Sequence, residues 1–128
     1  MARVLIIDDD AALRQALAGH LEHFGHSVRQ AAQGDDGVRE FRRDAADVAV
    51  VDIFMPGQGG LQTIARLRQE NPAVKIVAMS GAGSAGPLDV EEHAVAVGAD
   101  HFLRKPFEAT TLIALIRTLL GEKHQGSM

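Results

Sequence analysis

The 128-residue chain has no cysteine. Disulfide frameworks, thiolate metal sites and cysteine nucleophiles are thereby excluded. Tryptophan and tyrosine are also absent, so aromatic cages and stacking platforms for nucleic-acid bases are poorly supplied. Basic residues are not in excess. Thirteen Lys plus Arg face seventeen Asp plus Glu, a net charge of -4. A domain that lives on DNA phosphates needs a basic face, so direct nucleic-acid binding is not expected. No apolar run approaches the roughly 18 residues of a membrane span. The run Val4-Leu5-Ile6-Ile7 is too short for a signal peptide and leads straight into acids. A cytoplasmic protein without a membrane partner is expected. The length suits one domain with one sound core. Hydrophobic residues at 46% and charged residues at 23% are ordinary for a globular protein.

The chain alternates short apolar runs with longer amphipathic ones. Val4–Ile7, Asp47–Asp52 and Val74–Met79 are brief, β-branched and apolar, as buried strands are. Ser27–Ala31 and His101–Leu103 are weaker strands. Leu13, Leu17, Leu21 and Phe24 form a helical stripe, with Asp10 as N-cap and Gly25 just past its end. Helices are also predicted over Gly34–Arg43, from Leu61 to before Pro72, from Leu88 to Val97, and around Leu112, Leu115, Ile116 and Leu119. Phe54–Gly60 and Ser80–Pro87 are glycine-rich loops. Five strand–helix pairs with continuously apolar strands predict an α/β fold: a doubly wound five-stranded parallel sheet covered on both faces. We expect one domain over residues 1–121 and a polar tail over 122–128.

In open α/β sheets ligands sit beyond the carboxyl ends of the strands. There the chain places Asp8, Asp9 and Asp10 after the first strand and Asp52 at the end of the third. Ser80 and Gly81 follow the fourth, and Lys105 and Pro106 the fifth. Three crowded carboxylates repel one another, and a hard divalent ion relieves that cost. Mg²⁺ suits a few carboxylates plus water and often shares phosphate oxygens. Lys105 supplies a point charge for a phosphoryl oxygen. Ser80 supplies a hydroxyl, and the Gly81 N–H can approach closely. Such a set makes a phosphoryl-transfer site with Asp52 as nucleophile.

The ordered series Asp8-Asp9, Asp52-x-x-Met55-Pro56, Ser80-Gly81 and Lys105-Pro106-Phe107 resembles the receiver domain of two-component response regulators, in size the chemotaxis-type single-domain kind. The resemblance spans nearly the whole chain and implies a flavodoxin-like (βα)5 fold. It implies that Asp52 accepts a phosphoryl group from a sensor histidine kinase or histidine phosphotransfer protein. Asp9 and Asp52 would bind Mg²⁺ or Mn²⁺, with Asp8 acting through coordinated water and the Phe54 backbone carbonyl completing the set. Ser80, Lys105 and the Gly81 backbone would hold the phosphate. A cis Lys105-Pro106 bond is expected. Phosphorylation would draw Ser80 inward, let Phe102 follow, and change the face made by the fourth helix, fifth strand and fifth helix toward an unknown downstream target. The domain would be a monomer or a phosphorylation-dependent dimer. It would be no enzyme on a separate substrate, only self-phosphorylating and self-dephosphorylating. Met55-Pro56 and the first helix, through Ala11, Arg14, Gln15 and Ala18, would dock the kinase. The start at Met1 favours an intact N-terminal end.

The chain departs from the family's pattern in places. Gly59 stands where an acid often precedes the glycine matching Gly60, and Phe102 replaces the commoner tyrosine. The loop from Ser80 to Leu88 is longer than usual. Phe54 and Ala82 cannot orient an attacking water, so slow loss of the phosphate is expected. Asp10 taken alone reads as a helix cap. Asp8-x-Asp10 also resembles haloacid-dehalogenase-type phosphatases, but no later acid pair or cap domain follows. A pseudo-receiver that only binds partners is the remaining alternative, and the intact Asp/Ser/Lys set argues against it. Gly81-x-Gly83-x-x-Gly86 with Asp100 further on mimics a dinucleotide fingerprint, yet too little chain remains for it. His20, His23 and His26 need not share a face and read as surface histidines.

Overall fold

The computed structural model describes residues 2–54, 59–81 and 87–121, without the side chains of 87–89. The strands are β1 (Arg3–Ile7), β2 (Ser27–Ala31), β3 (Val48–Asp52), β4 (Lys75–Ser80) and β5 (His101–Arg104). They alternate with α1 (Ala11–His23), α2 (Gly34–Arg43), α3 (Gly60–Glu70), α4 (Pro87–Val97) and α5 (Ala109–Leu119). All strand pairs are parallel, in the order β2-β1-β3-β4-β5.

Successive strand residues point to opposite faces, and each face has its own core. Leu5, Ile7, Ala49, Val51, Ile76 and Ala78 pack with Val38 and Phe41 of α2, Ile64 and Leu67 of α3, and Ala94 of α4. Val4, Ile6, Val48, Val50, Val77 and Met79 pack with Leu17 and Leu21 of α1 and Leu112 and Ile116 of α5. Burial on both sides is why these strands read as unbroken apolar runs instead of alternating ones. The expected doubly wound α/β fold is the one observed.

Most element ends fall where the sequence places them. Asp10 Oδ1 accepts from the Leu13 N–H at 3.1 Å as the cap of α1. Gly25 and Gly98, at φ 94° and 125°, follow α1 and α4. Several ends shift by one residue, as in β1, β3, α3 and β5, and three of the shifts involve β4 and α4. Val74 is outside β4 because its N–H closes a turn onto Asn71 O. Ser80 is the last ladder residue, not the first of the loop. Pro87 opens α4, where a missing N–H costs nothing. Met55-Pro56, the loop 82–86 and the tail 122–128 lie outside the described residues.

At the amino ends of the strands, Arg68 of α3 gathers several connections. Its guanidinium donates to the carbonyls of Pro72 (2.8 Å), Val74 (2.6 Å) and Gly98 (2.7 Å) and to Asp100 Oδ2 (2.8 Å). Asp100 Oδ2 also accepts from the Ile76 N–H at 2.8 Å. Asp100 is thus occupied at the far edge of the sheet and is no ribose-binding acid. Gly83 and Gly86 of the same fingerprint lie outside the described residues.

Candidate functional site

The strand order reverses between β1 and β3, and open α/β sheets take their ligands beyond the carboxyl ends of the strands at such a point. Asp8 follows β1 directly and is fully buried, and Asp52 ends β3 at 4% exposure. Ordinary burial of two carboxylates side by side is costly. Lys105, just past β5, offsets it by reaching both. Its Nζ lies 2.9 Å from Asp8 Oδ2 and 3.3 Å from Asp52 Oδ2. The backbone fixes Lys105 in turn, since its N–H donates to Ser80 O at 2.7 Å. Ser80 is buried at the end of β4, with Gly81 next to it. The Lys105-Pro106 bond is cis, as the resemblance implies.

The other carboxylate oxygens are also engaged. Asp8 Oδ1 accepts from the Asp10 N–H at 2.9 Å, and Asp52 Oδ1 from the Phe54 N–H at 3.0 Å. Asp9 is exposed, yet one carboxylate oxygen from each of Asp8, Asp9 and Asp52 lies within 4.8 Å of the others. Among the described residues this is the one group of His, Cys, Asp or Glu spaced to hold a metal ion.

Electrostatics mark Asp52. Burial is the largest influence and pushes its carboxyl up to about 6. The Phe54 N–H and the Lys105 charge oppose that rise, and Asp8 adds to it. Burial alone would lower the Lys105 ammonium, but the Asp8 hydrogen bond and the charges of Asp52 and Asp8 outweigh it, leaving a net rise. An all-oxygen donor set with partly compensated charge fits a hard divalent cation that keeps several waters. It does not fit a soft metal.

Gly60 explains how α3 meets the site. A Cβ there would overlap Asp52 O and the Ile53 Cα, and the Gly60 N–H donates to Ile53 O at 3.3 Å. Only glycine lets α3 start this close behind Asp52. Phe54 is 50% exposed beside Asp52. Phe102 is half-buried against the α2–α4 core, with the Arg104 guanidinium carbon 6.0 Å from its ring centroid.

Some expected residues land elsewhere. Ala18 is buried in the α1–α5 core and offers nothing to a partner, because the apolar stripe of α1 is wider than its leucines suggest. Ala11 and Gln15 are exposed as expected. Arg14, assigned by sequence to that outer surface, instead turns inward and donates from Nη1 to Asp8 O at 2.8 Å. Its place in the first turn of a helix that starts three residues after Asp8 is the only sequence signal for that contact. Asp10 spends a carboxylate oxygen on its cap, so the Asp8/Asp10 pair needed by a phosphatase is not formed. His26 Nδ1 accepts from the Ala2 N–H at 3.1 Å, while His20 and His23 are exposed. Among the described residues no helix is long and apolar enough to cross a membrane.

Comparison with known proteins agrees with this geometry. A family model described as the response regulator receiver domain matches residues 4–117. The transcriptional regulatory protein CseB of Streptomyces coelicolor is 34% identical over 117 residues, covering 91% of this chain and 48% of CseB. The response regulator MprA of Mycobacterium leprae is 35% identical over 120 residues, covering 92% and 50%. The chain therefore spans about half the length of the curated relatives it matches. Among solved structures, a CheY-like receiver domain protein from Methanospirillum hungatei superposes with TM-score 0.88 at 27% identity, covering 95% of each chain. The receiver domain of NtrX from Brucella abortus gives 0.84 at 28% identity, covering 94% of this chain and 99% of that one.

Proposed function

The chain belongs to the family of response regulator receiver domains, and from that membership we propose that it takes a phosphoryl group onto Asp52. The donor is a phosphohistidine of a sensor kinase or phosphotransfer protein. An Asp52 carboxylate oxygen attacks phosphorus, the P–N bond breaks, and the imidazole leaves with the electron pair and picks up a proton. The observation that carries this reading is the convergence of Asp8, Asp52 and Lys105, with one ammonium bridging two buried carboxylates. A carboxyl held near 6 is ionised at neutral pH yet more basic than an ordinary one, which favours nucleophilic attack.

Asp9, Asp52 and the Phe54 carbonyl would hold Mg²⁺ or Mn²⁺, with Asp8 acting through water. When bound, the ion supplies charge neutralisation for the phosphoryl oxygens. Lys105, Ser80 and the Gly81 N–H receive the remaining oxygens. Drawing Ser80 toward the new dianion biases a two-state equilibrium in which Phe102 and the α4–β5–α5 face follow. That face signals to a downstream protein. The regulators to which the chain is similar act as regulators, and the domain has no separate substrate.

Intact mass after incubation with Mg²⁺ and a small acyl phosphate tests the chemistry. One phosphoryl adduct is expected, dependent on Mg²⁺ and absent from Asp52→Asn. An adduct that persists in that variant would reject Asp52 as acceptor. Loss of the phosphate is expected to be slow, because Phe54 and Ala82 cannot orient water. The double variant Phe54→Asn, Ala82→Glu should lose it roughly tenfold faster; an unchanged rate would reject that explanation.

A further inference from the structure

We propose that Arg14 is a positioning residue for the cation site: its guanidinium holds the Asp8–Asp9 peptide from the α1 side and so sets where the Asp9 carboxylate stands. This rests on the cation reading given above. Asp9 is the exposed member of the acid cluster, and among the described residues no side chain bonds its carboxylate. Its place is therefore set by the backbone that carries it.

That backbone is a short turn between β1 and α1. The Asp8 N–H still reaches Ala31 O at 3.1 Å, beside the end of β2. The Asp8 carbonyl, which belongs to the next peptide group, the one that joins Asp8 to Asp9, accepts instead from Arg14 Nη1 at 2.8 Å. Arg14 is itself braced, since its Nε donates to Gln30 Oε1 at 3.0 Å. A planar guanidinium fixed at two points has a defined direction, which a lysine ammonium would lack. Groups that orient metal ligands without touching the ion commonly account for a 10–100-fold difference in affinity.

The sign of the effect separates positioning from simple electrostatics. Arg14 is a cation beside the acid cluster, so its charge opposes binding of another cation. Removing that charge alone would tighten metal binding. Only loss of positioning can weaken it.

The test uses the whole chain and Mn²⁺ as probe, with free ion counted by electron paramagnetic resonance. Wild type, Asp9→Asn, Arg14→Met and Arg14→Lys are compared, and urea unfolding in chelator gives each variant's metal-free stability. Arg14→Met is expected to bind Mn²⁺ roughly tenfold more weakly at one site per molecule. Arg14→Lys, which keeps the charge but not the fork, should also bind more weakly than wild type. Equal or tighter binding by Arg14→Met overturns the proposal. So does a loss of sites per molecule at unchanged affinity, which would assign Arg14 to folding alone. A wild type that binds no Mn²⁺, or Asp9→Asn that binds as wild type does, overturns the cation reading and this inference together.

Discussion

Asp52 holds its proton more tightly in the folded chain than in the unfolded one, about 6 against 3.8, chiefly because burial disfavours its charge. The sign follows from linkage. A carboxyl raised by folding makes its ionised form a destabilising group, so the penalty is complete above about pH 6 and fades as pH falls toward 3.8. The difference corresponds to about 3 kcal/mol. Asp52→Asn in metal-free buffer should therefore be more stable than wild type by about 2–3 kcal/mol near about pH 7.5, with little advantage near about pH 4. Urea unfolding at both pH values checks it, and an Asn variant less stable at the higher pH would contradict the assignment. The same residue shows what sequence can convey. Asp8, Asp52, Ser80 and Lys105 were legible because each stands at a strand's carboxyl end or one residue past it, and those ends share one edge. The inward turn of Arg14 and the burial of Ala18 were not, because they depend on the direction in which a helical side chain leaves its backbone.

At the scale of elements, the apolar runs of β1, β3 and β4 announced themselves because both faces are covered. What the runs could not reveal is how α3 and α4 are fastened. Arg68 and its partners Gly98 and Asp100 are about thirty residues apart in the chain, and no periodicity records such a pairing. Arg68→Ala takes a donor from several carbonyls and leaves the Asp100 carboxylate with the Ile76 N–H but no cation. Its expected cost is about 2–4 kcal/mol, read as a fall in urea midpoint. Phosphorylation per folded molecule should stay the same. A loss of less than about 0.5 kcal/mol would show that water replaces the guanidinium at no penalty. Gly60→Ala should also destabilise strongly, since the overlapped atoms are backbone atoms of Asp52 and Ile53 that cannot move aside. Its adduct yield should fall as well, because that backbone carries Asp52, the proposed acceptor.

For the molecule as a whole, a ligand that binds only the folded state raises its stability by mass action. Mg²⁺ at about ten times its Kd should add about 1.4 kcal/mol, a rise in Tm of roughly 5 °C for a domain of this size. Asp52→Asn should lose most of that rise, and calcium-free, magnesium-free controls fix the baseline. A Tm indifferent to Mg²⁺ in wild type would argue against a cation at the acid cluster.

The two ends of the sheet also differ in what they can tolerate. Arg68, Asp100 and the turn at Asn71 fasten the amino ends of the strands; Asp8, Asp52 and Lys105 stand at the carboxyl ends, a full strand length away. Changes at the first end are expected to alter only how much protein is folded, whereas changes at the second are expected to alter what a folded molecule does, whether or not they also move its stability. A survey of variants sorted by abundance and by phosphorylation per molecule should therefore separate along the strand axis, into two groups that no plot against residue number would reveal.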